Sequence, residues 1–155
     1  MSQSLLILYA TLTGDAEQIA KAVATAASQR DYDPTVTNLR DYAFELHALE
    51  GRILLIAGSN HNGNPPPDAE AFYTWLRSRS TPLLRVHYSV FAVGEADHGD
   101  LHGFGRALDA EFERLGATPI AKRAEAAAGD PTSLEAWLDS VFNGLSAPEE
   151  RLAAA

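Results

Sequence analysis

Short apolar runs alternate with amphipathic stretches along almost the whole chain. Residues 5–9 and 53–57 are continuously apolar, which is typical of strands that are covered on both faces in a parallel sheet. Residues 86–93 form a third, mainly apolar run. Two weaker runs, residues 35–39 and 120–123, are mixed in polarity and each follows a proline, which favours positions at the sheet edges. The pattern therefore predicts three central strands and two edge strands.

Four stretches between these runs repeat their apolar residues with the 3.6-residue period of a helix. Strand–helix alternation implies right-handed crossovers and a three-layer α/β/α sandwich. Numbered along the chain, the first, third and fourth runs (residues 5–9, 53–57 and 86–93) are the buried ones. We therefore expect a five-stranded parallel sheet in the order 2-1-3-4-5. We expect residues 1–146 to form one domain and residues 147–155 to form a frayed tail or the start of a linker. The predicted core positions of the helices are Ala16, Ile19, Ala20, Val23 and Ala27; Phe72, Trp75 and Leu76; Leu101, Phe104, Leu108, Phe112 and Leu115; and Leu134, Trp137, Leu138, Val141, Phe142 and Leu145.

The charge balance and the residue content exclude several classes of protein. Lys and Arg number 12 against 21 Asp and Glu, a net charge of −9, whereas nucleic-acid binding depends on basic residues that neutralise phosphates. The chain has no cysteine, which excludes disulfides, iron–sulfur clusters and cysteine-type zinc sites. The N-terminal apolar run is far shorter than the roughly 20 residues that span a bilayer. We therefore expect a cytoplasmic protein that binds neither nucleic acid nor membrane, is a monomer, and has a basic-faced protein partner.

Polar loops follow the three central strands, and the ligand crevice of an open parallel sheet lies beyond the carboxyl ends of its strands. The first loop, residues 11–17, contains two threonines and Gly14 but no basic residue. Backbone N–H groups at a helix N-terminus, together with threonine hydroxyls, form an anion nest. We therefore predict phosphate binding here. The alternative is that Thr13 only caps the helix, while Asp15 and Glu17 complement its dipole.

Three motifs, in order and at the right spacing, resemble the flavodoxin-like FMN domains of diflavin reductases such as the sulfite reductase flavoprotein. Residues 6–17, LILYATLTGDAE, are similar to the ILYGSQTGNAE opening of that family. Residues 59–68, SNHNGNPPPD, are similar to its STxGxGxPPD loop, and AFYTWL at 71–76 to its AFYxWL helix. Residues 88–94, YSVFAVG, resemble YAVFGLGD. The chain lacks the long insertion in the last strand of long-chain flavodoxins, so it resembles the short-chain MioC type or an excised reductase domain.

The resemblance implies a flavodoxin-like fold, FMN as the cofactor, and transfer of one or two electrons between a reductase and a redox partner. It implies an electron carrier or the FMN domain of a reductase, with no catalytic residue of its own. The FMN phosphate would lie on the first loop, and the isoalloxazine ring between the second and third loops. The implied FMN-binding residues are Thr11, Leu12, Thr13, Gly14, Asp15 and Ala16; Ser59, Asn60, His61, Asn62, Gly63 and Asn64; and Val93, Gly94, Glu95, Asp97, His98 and Leu101.

Several positions depart from the family pattern. The two aromatic residues that flank the ring in the family fall at His61 and His98 in this chain. Asn62 and Asn64 replace loop glycines, where a left-handed backbone would cost about 1 kcal/mol or less. Leu12 stands where the family usually has Gln. The alternative function is therefore a flavodoxin-like interaction module that has lost FMN.

His98 and His102 have the i, i+4 spacing of metal ligands on a helix, and Asp97, Asp100 and His61 fall at the same crevice. The competing interpretation is that Asp97 caps the helix and His102 is a solvated turn residue. We favour the second interpretation and predict no metal site.

Overall fold

A parallel sheet forms the middle layer of the protein. The computed structural model describes residues 3–43, 49–59, 62–94, 100–127 and 130–146. Every strand pair in this part of the chain is parallel, and the order is 2-1-3-4-5 with a sixth strand that also pairs with the fourth. The predicted fold class and strand order are confirmed. The strands are β1 (Gln3–Ala10), β2 (Tyr32–Asn38), β3 (Gly51–Gly58), β4 (Val86–Gly94), β5 (Thr118–Pro119) and β6 (Ala124–Ala127).

Helices cover both faces of the sheet. α1 (Asp15–Ser28) and α4 (Pro131–Leu145) pack on one face, and α2 (Glu70–Ser78) and α3 (Gly103–Arg114) pack on the other. A short 3-10 helix, Pro67–Ala69, leads into α2. Because side chains alternate along a strand, Ile7 faces the α1 and α4 layer while its neighbour Leu8 faces the α2 and α3 layer. This alternation buries both faces of β1, β3 and β4, which explains their nearly continuous apolar sequences.

The register of the central strands brings their carboxyl ends to one level. Ala10 at the end of β1 pairs with Ala57 of β3, and Gly58 of β3 pairs with Val93 of β4. The loops that leave these three strands therefore start side by side at the same edge of the sheet. This edge is where a ligand crevice is expected in a doubly wound sheet.

The edge of the sheet beside β4 differs from the prediction of a fifth strand at residues 120–123. β5 and β6 are two short strands on either side of that segment, and both pair with β4. His87 pairs with Thr118 and Phe91 with Ala124, so the edge chain uses more residues than β4 over the same distance and bulges outward. The buried Ser89 hydroxyl explains the bulge, because it donates to the carbonyl of Ala121 (3.0 Å). The prediction of a strand at residues 120–123 is therefore wrong.

Two predicted element boundaries also change. Pro34 lies within β2, opposite Leu5, rather than before the strand; a proline is tolerated there because β2 is an edge strand. Leu101 precedes α3, which begins at Gly103. Residues 147–155 lie outside the described residues, so the domain boundary at 146 stays a prediction. No helix in the described part of the chain is both long enough and apolar enough to cross a membrane.

Candidate functional site

The first loop joins β1 to α1 with the backbone shape of an anion nest. Gly14 is the N-cap residue of α1, with φ 101°, a left-handed conformation that glycine adopts without steric cost. A side chain built on Gly14 would meet no atom within 4 Å, so the helix N-terminus opens onto free space. The Thr11 hydroxyl accepts a hydrogen bond from the Gly14 N–H (2.7 Å). The loop is therefore held open by its own hydrogen bonds.

Thr13 is exposed, and it does not occupy the cap position that the alternative interpretation gave it. Its hydroxyl donates to Asp15 Oδ2 (2.9 Å) and accepts from the Asp15 N–H (3.4 Å). Gly14 is the N-cap residue, and Thr13 precedes it while accepting from the N–H of Asp15, the first residue of α1. The Thr13 hydroxyl therefore contacts the start of α1 from the position before the N-cap, and anion binding by this hydroxyl stays a prediction.

The two apolar residues predicted for the first loop differ in their surroundings. Leu12 is 36% exposed. Ala16, in the first turn of α1, is fully buried in the core between α1 and the sheet. The Ala16 side chain therefore does not reach a ligand at the helix N-terminus.

A carboxylate from the start of the next helical segment is attached to the first loop. Asp68 Oδ2 accepts hydrogen bonds from the Thr11 N–H (3.2 Å) and from Asn38 Nδ2 (2.9 Å). Its other oxygen, Oδ1, is buried without a hydrogen-bond partner among the described residues. No role was predicted for this side chain. The sequence signal that could have found it is its place as the final aspartate of SNHNGNPPPD, which matches the aspartate of the family motif STxGxGxPPD.

The second loop is anchored at its base by Ser59. This serine is fully buried, and its hydroxyl accepts a hydrogen bond from the Phe104 N–H (3.1 Å) in the first turn of α3. Ser59 therefore joins the end of β3 to α3, and its side chain is occupied by the protein itself. Asn60 and His61 lie outside the described residues.

The expected backbone strain at Asn62 and Asn64 is absent from the structure. Gly63 carries the left-handed conformation of this loop, with φ 79°, and Asp31 is the only non-glycine residue of the described chain with positive φ. The expectation of a cost for asparagine in place of glycine is therefore wrong at both positions. The loop places its turn on the glycine that the sequence retains.

The second loop and the start of α3 are in direct backbone contact. Asn62 forms an isolated parallel bridge with Asp100. A Cβ atom on Gly103 would lie 2.6 Å from the Gly63 Cα and 2.8 Å from Asp100 Oδ2. This spacing admits no side chain at Gly103. The position of the Asn62–Gly63 segment therefore depends on the start of α3.

Charged side chains hold Asp100 in place. Asp100 accepts a hydrogen bond from the His102 N–H (3.2 Å) and is paired with Arg106, which also contacts Glu125 Oε1 (3.1 Å). The Arg106 guanidinium holds the pKa of the Asp100 carboxyl below its usual range, with the His102 N–H acting in the same direction. Asp100 therefore stays ionised at neutral pH and keeps its partners.

The third loop is described only at its two ends. Val93 is buried at the end of β4, and a Cβ on Gly94 would meet the carbonyl of Ala126, His102 Nε2 and Leu101 Cδ1 at 3.3 to 3.4 Å. Leu101 is partly buried beside this glycine. The predicted residues Glu95, Asp97 and His98 lie outside the described residues.

His102 is not the solvated turn residue that we expected. It is the N-cap residue of α3, and its Nε2 lies 3.0 Å from the carbonyl of Ala126 in β6. Its side chain is 22% exposed and faces Glu125. The proposed metal ligands His61, Asp97 and His98 lie outside the described residues. Among the residues that are described, no group of three or more His, Asp or Glu side chains is arranged to hold a metal ion.

The described residues fit a phosphate-bearing cofactor such as FMN. The open space at Gly14 lies at the N-terminal end of the α1 dipole, where an anion is stabilised. The hydroxyls of Thr11 and Thr13 flank it, and no basic residue is needed. At the neighbouring second and third loops, Gly63 packs against Gly103 and Gly94 packs against His102 and Leu101. The structure therefore brings the described parts of the three predicted loops to one edge of the sheet.

A parallel sheet in this order, with an anion nest after its first strand, defines a flavodoxin-like α/β protein. The sequence profile of the family described as flavodoxin matches residues 7–138. The chain therefore belongs to the flavodoxin family, and the resemblance found in the sequence is confirmed. Membership of this family implies FMN as the cofactor.

Curated relatives are reductases much longer than this chain. A bifunctional cytochrome P450/NADPH–P450 reductase of Acremonium egyptiacum is 37% identical over 145 residues, covering 88% of this chain and 13% of the relative. The sulfite reductase [NADPH] flavoprotein alpha-component of Neisseria meningitidis serogroup B is 27% identical over 139 residues, covering 89% and 23%. The chain spans less than a quarter of the length of these two relatives.

Solved structures confirm the fold. A short-chain flavodoxin associated with a non-canonical PDU bacterial microcompartment has a TM-score of 0.78 at 22% identity, covering 97% of this chain and 99% of that one. A point mutant of flavodoxin from Pseudomonas aeruginosa has a TM-score of 0.79 at 20% identity, covering 94% and 100%. Near-complete coverage of these flavodoxins shows that the chain contains the whole fold.

Proposed function

We propose that this chain binds FMN and passes electrons singly or in pairs between a reductase and a redox partner. The observation that carries the proposal is the first loop, where Gly14 opens the N-terminus of α1 and the Thr11 hydroxyl fixes that opening. Family membership supports the electron-transfer role. The described first loop retains its nest, which speaks against the alternative that the fold has lost FMN.

In this proposal the three loops have separate tasks. The FMN phosphate is held by the first loop, residues Thr11 to Ala16, through hydroxyls and backbone N–H groups. The ring lies between the second loop, Ser59 to Asn64, and the third loop from Val93 to Leu101. When bound, FMN supplies the one- and two-electron chemistry. The contact of Gly63 with Gly103 would hold the second loop in place beside the ring.

The proposed partner presents a basic face. Exposed carboxylates lie in the first turns of two helices that border the crevice, Asp15 in α1 and Glu70 in α2. Opposite charges steer diffusional encounter and fix its orientation. A monomer in the cytoplasm is part of the same proposal.

A reconstituted electron-transfer assay tests this function. FMN-loaded protein is mixed with NADPH, an NADPH-dependent flavoprotein reductase and cytochrome c, a basic haem protein whose reduction is followed by absorbance. We expect cytochrome c reduction that requires the FMN-loaded protein and that exceeds the rate with the same concentration of free FMN. A rate equal to that of free FMN, or a protein that takes up no FMN, would overturn the proposal.

A further inference from the structure

Asp68 joins three separate segments of the chain at the crevice. Its Oδ2 accepts from the Thr11 N–H in the first loop and from Asn38 Nδ2 at the end of β2, while Asp68 itself lies in the 3-10 helix before α2. Asn38 is 8% exposed and its Oδ1 accepts from the Arg40 N–H (2.8 Å). The carboxylate is therefore held by a neighbour that is itself fixed.

A short chain of hydrogen bonds leads from Asp68 to the anion nest. Asp68 Oδ2 fixes the Thr11 N–H at 3.2 Å, and the Thr11 hydroxyl in turn fixes the Gly14 N–H at 2.7 Å. Gly14 is the residue whose left-handed backbone opens the helix N-terminus. The conformation of the nest therefore depends on an acceptor located 57 residues away in the sequence.

The charge of Asp68 makes this arrangement unusual. A carboxylate beside a nest that has no basic residue repels a bound phosphate, and Asp68 Oδ1 also lacks a hydrogen-bond partner among the described residues. Both features are unfavourable for anion binding taken alone. They are consistent with a carboxylate that serves as a hydrogen-bond acceptor through Oδ2 and orders the nest.

We propose that Asp68 is a positioning residue for the phosphate nest, acting on bound FMN through Thr11 and Gly14 without touching it. This inference rests on the proposed FMN function. The acceptor oxygen, rather than the negative charge, is the part that matters. We therefore expect Asp68→Asn to preserve the positioning role, because the single amide oxygen of asparagine can accept from both Thr11 and Asn38.

The test compares FMN with riboflavin, which has the same ring and no phosphate. Dissociation constants for both are measured by quenching of flavin fluorescence in the wild type, Asp68→Ala and Asp68→Asn. In Asp68→Ala we expect FMN affinity to fall about tenfold while riboflavin affinity stays within about twofold. In Asp68→Asn we expect both affinities within about threefold of wild type or tighter for FMN.

Two results would overturn the positioning role while leaving FMN binding by the wild type intact. One is an equal loss of FMN and riboflavin in Asp68→Ala, which indicates a general structural role. The other is a loss of FMN in Asp68→Asn as large as in Asp68→Ala, which indicates that the charge matters. Failure of the wild type to bind FMN would instead contradict the proposed function itself.

Hydrogen exchange of the wild-type protein provides a measurement that does not depend on the folding of Asp68→Ala. The amide protons of Thr11 and Gly14 are expected to be protected in the protein without added flavin, because both are donated within the chain described above. A Thr11 amide that exchanges as fast as a solvent-exposed amide would overturn the role of Asp68.

Discussion

At the scale of single residues, Thr13 is the side chain of the nest with the clearest testable role. Its hydroxyl donates to Asp15 in the structure, and we expect it to donate to a phosphate oxygen when FMN is bound. Removing a hydrogen bond to a charged group costs roughly 1.5–3 kcal/mol, so Thr13→Ala should weaken FMN binding about tenfold or more. Isothermal titration with FMN measures the change.

Thr25→Ala is the matched control, because Thr25 is an exposed threonine within α1 whose hydroxyl donates to the Lys21 carbonyl (3.2 Å). It should leave the FMN dissociation constant unchanged. If Thr13→Ala and Thr25→Ala bind FMN equally well, Thr13 takes no part in the nest.

His87 in β4 predicts a dependence of stability on pH. Burial lowers its pKa from the usual value, and the nearby positive charge of Arg52 acts in the same direction. His87 in the unfolded chain binds a proton at higher pH than His87 in the folded protein. Its contribution to the free energy of unfolding is therefore complete above the unfolded pKa of about 6.5 and is lost as the pH falls through the lower folded pKa. Acidification from neutral pH should therefore destabilise the protein partly through His87.

Urea unfolding at about pH 7 and about pH 5 measures this effect. His87→Gln should lose less stability than the wild type over this interval, because the substituted side chain does not titrate. An identical loss in both proteins would show that His87 is protonated equally in the folded and unfolded states.

The contacts that the sequence did not identify are those between residues that are distant in the chain. Thr11, Thr13 and Gly14 were recognisable because a nest is local. Asp68 bonds to Thr11, Ser59 to Phe104 and His102 to the carbonyl of Ala126. None of these pairs is set by periodicity or local turn chemistry, because each exists only after the sheet has brought separate loops together.

At the scale of elements, two glycines of α3 separate effects on the site from effects on stability. A Cβ on Gly103 would lie 2.6 Å from Gly63 Cα, whereas one on Gly105 would lie 2.4 Å from Ala92 Cβ in the core. Gly103→Ala should displace the second loop and weaken FMN and riboflavin together, by about tenfold. Gly105→Ala should instead lower the free energy of unfolding by about 1–3 kcal/mol.

Flavin titration and urea unfolding of both variants separate these outcomes. The two substitutions are chemically identical and two residues apart on one helix, so each is the control for the other. Unchanged flavin binding by Gly103→Ala would mean that the second loop does not depend on the start of α3.

The central strands and the helices were predictable from the sequence, but the fifth strand was not. Buried strands such as β3 have a continuous apolar sequence because both faces are covered. The edge chain is set instead by Ser89, which donates to the Ala121 carbonyl and accepts from Trp137 Nε1 (2.9 Å). This side-chain contact replaces part of the backbone ladder, and no pattern within residues 120–123 indicates it.

At the scale of the whole molecule, the chain carries a net charge of −9. Exposed carboxylates at the carboxyl edge of the sheet include Asp15 and Glu70, in the first turns of α1 and α2. Exposed charges steer association, and salt screens them over about 8 Å at physiological ionic strength. The rate of electron transfer to cytochrome c should therefore fall by about tenfold between low and high salt.

Stopped-flow mixing over a range of sodium chloride concentrations measures this dependence. An acidic electron acceptor provides the control, since its rate should rise or stay level as salt screens repulsion. A rate to cytochrome c that does not change with salt would contradict a basic-faced partner.

FMN binding through the first loop is tested most directly by titrating the flavin-free protein with FMN, riboflavin and FAD. The nest at Gly14 suits a terminal phosphate monoester, whose dianion meets the N-terminus of α1. FMN should therefore bind at least about tenfold more tightly than riboflavin, and more tightly than FAD. Riboflavin that binds as tightly as FMN would contradict phosphate recognition by this loop.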